Sequence, residues 1–239
     1  MISAERSIIR VDSTRTVSAL FDRPPAANAL LILAHGAGAG MEHPSMRSIA
    51  TGLGRRNIAT LRYQFPYMEQ NGRRPDPPAL CHATVRAAVA EAARLAPDLP
   101  LIAGGRSFGG RMTSQAQAQA PLLGIRGLVF LGFPLHPAGR PGVERATHLR
   151  DIRIPMMFIQ GTRDALANLE LLQPIAAGLG ELVTLHRLQD ADHSFHVPAR
   201  SGRRDSEVQA ELLDALCNWV TRQSVSVHEH LQADIVGLR

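Results

Sequence analysis

The sequence predicts an α/β protein with a mainly parallel, twisted sheet and helices on both faces, formed as a single domain over residues 1–239. Three observations favour this fold class. Short apolar runs of strand length alternate with segments of helical periodicity. Glycine-rich turns directly follow some of the apolar runs. No linker or internal repeat divides the chain.

The first half of the chain begins with β-prone segments at 7–11 and 15–21, which Asp12 and Ser13 separate as in an antiparallel hairpin. Residues 29–34 are a continuous apolar run without polar alternation, which predicts a strand buried on both faces of a parallel sheet. The elements expected next are a helix over 44–55, a strand over 59–63 and a helix over 80–95.

In the second half, a strand from Leu101 leads to Ser107, and a helix follows until Pro121 breaks it. The apolar helix over 169–179 contains Pro174, so we expect it to be kinked or split. Asp205 is the expected cap of a final amphipathic helix. The tail from 221 has no assignment. The remaining predicted strands are 127–131, 154–160 and 181–188.

Two loops have the length and composition to shape a binding site. Residues 132–149 are rich in glycine, proline and histidine but too short for a large lid, which predicts a minimal lid or none. Residues 64–78 follow a strand, and loops at the carboxyl ends of strands line ligand sites in such sheets. Phe65, Tyr67 and Met68 are therefore candidate pocket walls. The alternative is a loop merely anchored by its two aromatic residues.

The composition argues against nucleic-acid binding. The net charge is +5, with no lysine, and the arginines are scattered apart from short pairs such as Arg55-Arg56. Only 4% of the residues are aromatic, and none interleaves with the arginines as a base-stacking surface requires.

The cysteines and the lengths of the apolar runs predict the cellular compartment of the protein. Cys81 and Cys217 lie far apart without a C-x-x-C motif, which indicates buried thiols in a reducing cytosol. No apolar run approaches the roughly 18 residues of a membrane span, and no signal peptide is visible in residues 1–15. We expect a cytoplasmic protein with no membrane partner.

Gly105-x-Ser107-x-Gly109 has the G-x-S-x-G pattern of a nucleophile elbow. A serine on a sharp strand-to-helix turn is crowded by the residues two before and two after it. Glycine at both positions removes the Cβ atoms that would collide. Free N–H groups at the start of the new helix would stabilise a negative oxygen near the serine.

A second glycine-rich loop, His35-Gly-Ala-Gly-Ala-Gly40, follows the buried strand 29–34. A phosphate loop is the rival interpretation, but the Gly-Lys-Ser/Thr ending and the dinucleotide-binding spacing are both missing. The loop fits the second half of an oxyanion hole instead. The N–H groups of Phe108 and Ala37 are the expected donors, with Gly38 as the fallback for the second.

Serine needs an adjacent base to become a nucleophile at neutral pH. Ser107, Asp164 and His193 occur in the chain order of the α/β-hydrolase triad, and the last two lie in turns after predicted strands. We therefore expect His193 to accept the Ser107 proton and Asp164 to orient the imidazole.

Other residues compete for the same roles. Asp190 and Asp192 are alternative acids, although both lie in the same loop as His193, residues 190–196, called the histidine loop below. His186 and His196 are alternative bases, one within a predicted strand and one beyond the turn. The histidines show no metal-ligand spacing, so we expect no metal site and no cofactor.

With these motifs the chain resembles the α/β-hydrolase superfamily, above all its small dienelactone-hydrolase-like branch, which includes a subunit of a histone acetyltransferase complex. The resemblance spans about 29–220 and implies that Ser107, Asp164 and His193 occupy the triad positions. Dienelactone hydrolases carry a cysteine nucleophile, so serine at 107 favours an ester or thioester substrate. The matching pieces are His35-Gly-Ala-Gly, Phe65-Pro-Tyr-Met-Glu, Gly105-Arg-Ser-Phe-Gly-Gly-Arg111, Leu135-His-Pro, Gly161-Thr-Arg-Asp164 and Asp192-His-Ser-Phe195.

The sequence thus favours a serine hydrolase that cleaves a small carboxylic ester or thioester through an acyl-enzyme. The sequence leaves open whether a second copy of the chain is a further partner, in a homodimer. The alternative is a catalytically silent scaffold, which the resemblance to a complex subunit motivates. Tyr67, Met68 and Arg106 are the expected substrate-binding residues. Arg62, Arg73 or Arg106 could pair with an anionic substrate group, although a structural or surface role is the simpler interpretation of each.

Overall fold

The computed structural model describes residues 4–236, and side chains as far as Ser224. Its centre is one eight-stranded sheet with the strand order β1-β2-β4-β3-β5-β6-β7-β8. The first two strands pair antiparallel with each other, β2 is antiparallel to β4, and all other neighbours are parallel. The strands are β1 Glu5–Arg10, β2 Thr16–Asp22, β3 Ala29–Ala34, β4 Ile58–Tyr63, β5 Leu101–Arg106, β6 Ile125–Leu131, β7 Met156–Gly161 and β8 Val183–Leu188.

Helices cover both faces of the sheet. Buried residues of α3, α4 and α5 join one apolar core, and those of α1 and α6 join a second core on the opposite face. The predicted fold class is therefore confirmed. The helices are α1 Pro44–Gly54, α2 Pro66–Glu69, α3 Pro78–Leu95, α4 Phe108–Gln119, α5 Leu169–Gly178 and α6 Asp205–Val236. No helix in the described part of the chain is long and apolar enough to cross a bilayer.

Strand β3 shows why its sequence is apolar throughout. All six of its residues are buried, and successive side chains point to opposite faces. Leu30 and Ile32 enter the core under α3 and α4, whereas Leu31 and Leu33 enter the core under α1 and α6. An alternating polar residue would have no water to face on either side, as the sequence predicts.

The structure differs from the predictions at several elements. The loop over 64–78 contains α2, which Pro66 begins at the first helical position. The segment between β6 and β7 contains a 3-10 helix at Glu144–Asp151, and no inserted lid follows β6. Helix α5 continues through Pro174, so of the two predicted outcomes, a kink or a split, the split does not occur.

The cap predicted for α6 is also wrong. The helix begins at Asp205 itself, whose carboxylate accepts the Val197 N–H at 2.9 Å. The side chain of Glu207 instead accepts the Arg204 N–H at 2.8 Å, which satisfies a donor at the helix start. Asp205 therefore fastens the preceding loop to α6.

Candidate active site

Ser107 lies at the turn between β5 and α4. Its backbone adopts φ 49° and ψ −115°, a conformation that non-glycine residues rarely occupy. The Ser107 N–H donates to the Leu131 carbonyl at 3.0 Å, and the Arg111 N–H donates to the Ser107 carbonyl at 3.1 Å. The neighbouring strand and the first turn of α4 thus hold the serine in its strained geometry.

The glycines at 105 and 109 are required by close approach to β3. A Cβ at Gly105 would lie 2.7 Å from the Ala34 carbonyl oxygen. A Cβ at Gly109 would lie 2.5 Å from the His35 carbonyl oxygen. Both glycines therefore allow the serine turn to pack directly against the loop that follows β3.

The structure brings Ser107, His193 and Asp164 into one line of hydrogen bonds. His193 Nε2 lies 2.9 Å from Ser107 Oγ, and His193 Nδ1 lies 2.7 Å from Asp164 Oδ2. Since an ionised carboxylate can only accept, Nδ1 carries the proton and Nε2 accepts from the serine hydroxyl. The Asp164 side chain is fully buried, whereas His193 is a quarter exposed.

Two further hydrogen bonds hold the Asp164 carboxylate. The Leu166 N–H donates to Oδ1 at 2.8 Å, and Gln160 Nε2 donates to Oδ2 at 2.5 Å. Gln160 in turn accepts the Phe133 N–H at 2.9 Å through Oε1. Sequence reasoning missed Gln160, although a buried glutamine at the end of the otherwise apolar β7 was a signal that its amide has polar partners.

Arg106 contacts the histidine loop. Its Nη2 donates to the His193 carbonyl at 3.0 Å, and its guanidinium lies 5.1 Å from the centre of the Phe195 ring. Burial lowers the pKa of Arg106. These contacts make Arg106 a support for the backbone that carries the imidazole, and substrate binding by Arg106 stays a prediction.

The alternative bases point to other partners. His186 Nε2 lies 3.0 Å from Glu211 Oε1, on β8 and α6. His196 Nδ1 lies 2.8 Å from Asp205 Oδ2 at an exposed site, and this carboxylate raises the pKa of His196.

The alternative acids shape the loop that carries His193. Asp190 has a positive φ, and its N–H donates to Thr162 Oγ1 at 2.8 Å. Asp192 Oδ1 accepts the N–H groups of Ser194 and His196 at 2.7 and 3.0 Å. These contacts form the tight turn that presents His193 to Ser107.

Two free N–H groups flank the serine. Within residues 4–224, the backbone N–H groups of Ala37 and Phe108 have no hydrogen-bond acceptor. Phe108 begins α4, where the first N–H groups of a helix lack internal partners. The Gly38 N–H, the fallback donor, is already engaged with the Tyr67 hydroxyl at 3.1 Å.

His35 holds the loop that carries Ala37. It is fully buried, its Nδ1 lies 2.7 Å from the Gly36 carbonyl oxygen, and its Nε2 accepts the Phe65 N–H at 3.1 Å. Burial lowers the pKa of His35 to about 4, so the ring is neutral at physiological pH. A neutral ring can donate at one nitrogen and accept at the other, which both contacts require.

The residues after β4 form an aromatic wall beside the serine turn. The rings of Phe65 and Tyr67 pack edge-on against Phe108, with centroids 5.4 and 6.5 Å away. The Tyr67 N–H donates to Asp76 Oδ2 at 2.8 Å, which ties α2 to its own loop. Met68 is half-buried beside Gly40. In the described residues, no cluster of three or more His, Cys, Asp or Glu side chains could hold a metal.

Solved structures share this architecture. Dienelactone hydrolase from Anabaena variabilis superposes with a TM-score of 0.74 at 18% identity, covering 92% of this chain and 98% of that one. XC6422 from Xanthomonas campestris, described as a serine hydrolase without a lid, gives a TM-score of 0.69 at 20% identity, with coverages of 91% and 95%. Est1E from Butyrivibrio proteoclasticus gives 0.69 at 15% identity, with coverages of 91% and 98%.

At these identities the structural likeness concerns the fold. The family itself follows from the sequence match to a family model described as an alpha/beta hydrolase domain, which covers residues 27–221. This range contains the serine turn, the glycine-rich loop after β3 and both turns that supply Asp164 and His193. The chain therefore belongs to the α/β-hydrolase family.

Proposed function

We propose that this α/β-hydrolase is a serine hydrolase that cleaves a small carboxylic ester or thioester through an acyl-enzyme intermediate. The observation that carries the proposal is the unbroken line of hydrogen bonds from Asp164 through His193 to Ser107. The two free N–H groups beside the serine support it, because acyl transfer needs donors where negative charge develops.

In the first step, Ser107 Oγ attacks the substrate carbonyl carbon while His193 Nε2 takes the hydroxyl proton. The negative oxygen of the tetrahedral intermediate accepts from the N–H groups of Ala37 and Phe108, each contributing roughly 3 kcal/mol of transition-state stabilisation. Asp164 stabilises the imidazolium that forms. As the intermediate collapses, His193 gives its proton to the leaving alcohol or thiol.

In the second step, His193 takes a proton from water, and the resulting hydroxide attacks the acyl carbonyl. The intermediate collapses to the carboxylic acid and returns the proton to Ser107. Gln160 and Arg106 act as positioning residues, since one holds the Asp164 carboxylate and the other holds the His193 backbone. Tyr67 and Met68 are the proposed substrate contacts, next to the glycine-rich loop.

The proposal is tested with a fluorophosphonate probe and a panel of esters and thioesters of graded acyl length. We expect the probe to label Ser107, and Ser107→Ala to abolish labelling and lower kcat by roughly 10⁴- to 10⁶-fold. Ser114→Ala is the matched control. Ser114 Oγ also lies 2.8 Å from an imidazole nitrogen, His148 Nε2, but Ser114 is fully buried, so the probe and substrates cannot reach its hydroxyl.

Folded wild-type protein that neither reacts with the probe nor cleaves any ester or thioester contradicts the proposal. That result favours the catalytically silent scaffold suggested by the sequence.

A further inference from the structure

The arginines that the sequence suggested for an anionic ligand are accounted for elsewhere or exposed. Arg62 is buried and pairs with Asp22 at 2.9 Å while donating to the Met41 carbonyl at 3.1 Å. Arg106 supports the histidine loop. Arg73 is exposed in the loop before α3.

Two other arginines stand apart. Among the arginines in residues 4–224 that are at least partly buried, Arg111 and Arg145 alone have a guanidinium without a hydrogen bond or ion pair. The Nε atom of Arg111 is fully buried and has no acceptor. A buried cationic group without a partner is costly, so such groups in proteins are normally paired.

Arg111 lies next to the proposed nucleophile. It is one helical turn after Ser107 on α4, and its N–H donates to the Ser107 carbonyl. Long side chains in helices lean towards the N-terminus, which directs Arg111 back to the serine turn. Its guanidinium carbon lies 5.9 Å from the centre of the Phe108 ring, at the aromatic wall of the site.

Arg145 adds a second positive charge. It lies in the 3-10 helix Glu144–Asp151, which packs on α4. Burial together with this neighbouring charge lowers the pKa of Arg111. No carboxylate in the described side chains pairs with either guanidinium. Apart from the Phe108 ring beside Arg111, the two cations therefore repel each other without a compensating partner among the described side chains.

We propose that Arg111 and Arg145 form a subsite for an anionic oxygen group, a carboxylate or a phosphate, carried by the substrate beside Phe108. The inference rests on the proposed hydrolase function and names its substrate class as anionic esters or thioesters. The planar guanidinium presents paired N–H donors that match both anions, and an anion at its terminal nitrogens would neutralise the repulsion between the two arginines.

The first test compares two esters with the same six-carbon acyl chain, mono-p-nitrophenyl adipate and p-nitrophenyl hexanoate. We expect wild-type protein to prefer the adipate ester in kcat/KM. In Arg111→Gln this preference should fall by about 10- to 100-fold, as expected for losing a charged hydrogen-bonding partner. Arg145→Gln should reduce it in the same direction. Arg10→Gln, an exposed arginine at the far edge of the sheet, should retain it.

The second test measures binding without turnover. Adipate and inorganic phosphate are titrated calorimetrically into Ser107→Ala protein, with and without Arg111→Gln. We expect one of the two anions to bind and to lose affinity in the arginine variant, and the better ligand identifies the anion class. This result supports the subsite even where Ser107 proves unreactive, an outcome that contradicts only the proposed hydrolysis.

An unchanged ester preference in folded Arg111→Gln overturns the subsite. So does the absence of binding by both anions to Ser107→Ala protein. Active hydrolysis of the neutral ester together with either result leaves the hydrolase proposal intact and removes the anionic substrate class.

Discussion

Ser107 shows how a local conformational cost is met by its surroundings. Its positive φ costs on the order of 1–3 kcal/mol for a residue that is not glycine. The hydrogen bonds of its N–H and carbonyl to β6 and α4 offset this cost. Relaxing the turn would break both bonds and move the hydroxyl away from His193. Strand β6 and helix α4 thus hold Ser107 in its strained conformation.

His35 is a second residue whose environment sets its chemistry. Its buried ring accepts the Phe65 N–H, which a protonated imidazole cannot do. The folded-state pKa of about 4 lies below the ordinary value of about 6.5, so the unfolded chain binds the proton more readily. The contribution of His35 to stability is thus complete above about pH 6.5 and is lost as the pH falls towards 4.

We predict that His35→Gln is less stable than wild type at about pH 7.5, by roughly 1–3 kcal/mol, because a buried hydrogen bond is lost. Between pH 7.5 and pH 4 wild type should lose about 3 kcal/mol relative to the variant, because glutamine carries no titrating group, so the difference should vanish or reverse at pH 4. Urea unfolding at several pH values measures it. A difference that stays constant with pH contradicts the assignment of a buried, neutral His35.

His196→Gln is the control of opposite sign. Asp205 raises the pKa of His196, so its contribution is present below about pH 6.5 and is lost as the pH rises through the folded-state value. The free energy of unfolding of His196→Gln should be lower than that of wild type mainly at low pH. The difference should be small because the His196–Asp205 pair is exposed.

At the scale of elements, the sequence predicted what short-range patterns determine. The apolar run 29–34 and the elbow at Ser107 depend on alternation and on steric limits that neighbouring residues reveal. The α2 helix was missed because its four residues carry no period, and Pro66 is equally typical of a loop. The capping role was misassigned because Asp205 binds Val197, a partner that only the folded loop supplies.

In the candidate site, too, some residues could be predicted from the sequence and others could not. Ser107, His193 and Asp164 were located by motif and order, and the topology explains their meeting, because parallel strands end at one edge. The contacts that Arg106 and Gln160 make could not be predicted from sequence, although a glutamine at the end of an apolar strand indicated that its amide has polar partners. Their contacts depend on how the His193 loop and the segment after β6 pack around them, which no local pattern encodes.

The packing of α4 on β3 gives a prediction for this pair of elements. In Gly109→Ala, the added methyl group would meet the His35 carbonyl and the Ala34 backbone, so the serine turn must separate from β3. We expect a loss of about 1–3 kcal/mol in the free energy of unfolding, as in overpacked cores, together with a large loss of activity. Urea unfolding and ester turnover measure both effects.

Gly178→Ala is the matched control, because nothing lies within 4 Å of its Cβ position at the end of α5. Alanine there should stabilise by roughly 0.5–1 kcal/mol and leave activity unchanged. A stable, active Gly109→Ala protein would show that the turn tolerates separation from β3.

At the scale of the whole molecule, the site depends on both apolar cores. Ser107 directly precedes α4, which lies over one core, whereas the loop that carries His193 packs through Phe195 into the core under α1 and α6. The sheet between them is continuous from β1 to β8. Loss of either core should therefore separate Asp164, His193 and Ser107 from one another.

Fluorescence of the single tryptophan tests whether the site and the two cores unfold together. Trp219 of α6 is 1% exposed and packs over Gly127 of β6, where a Cβ would lie 2.6 Å from the ring. We predict that Trp219 fluorescence and fluorophosphonate labelling of Ser107 are lost at the same urea concentration, as in a two-state transition. Leu172→Ala, in the core on the opposite face, should lower both midpoints together and cost about 2–5 kcal/mol. Labelling that disappears well before the fluorescence changes would instead show that the loops carrying the site unfold separately from the sheet, which the shared cores argue against.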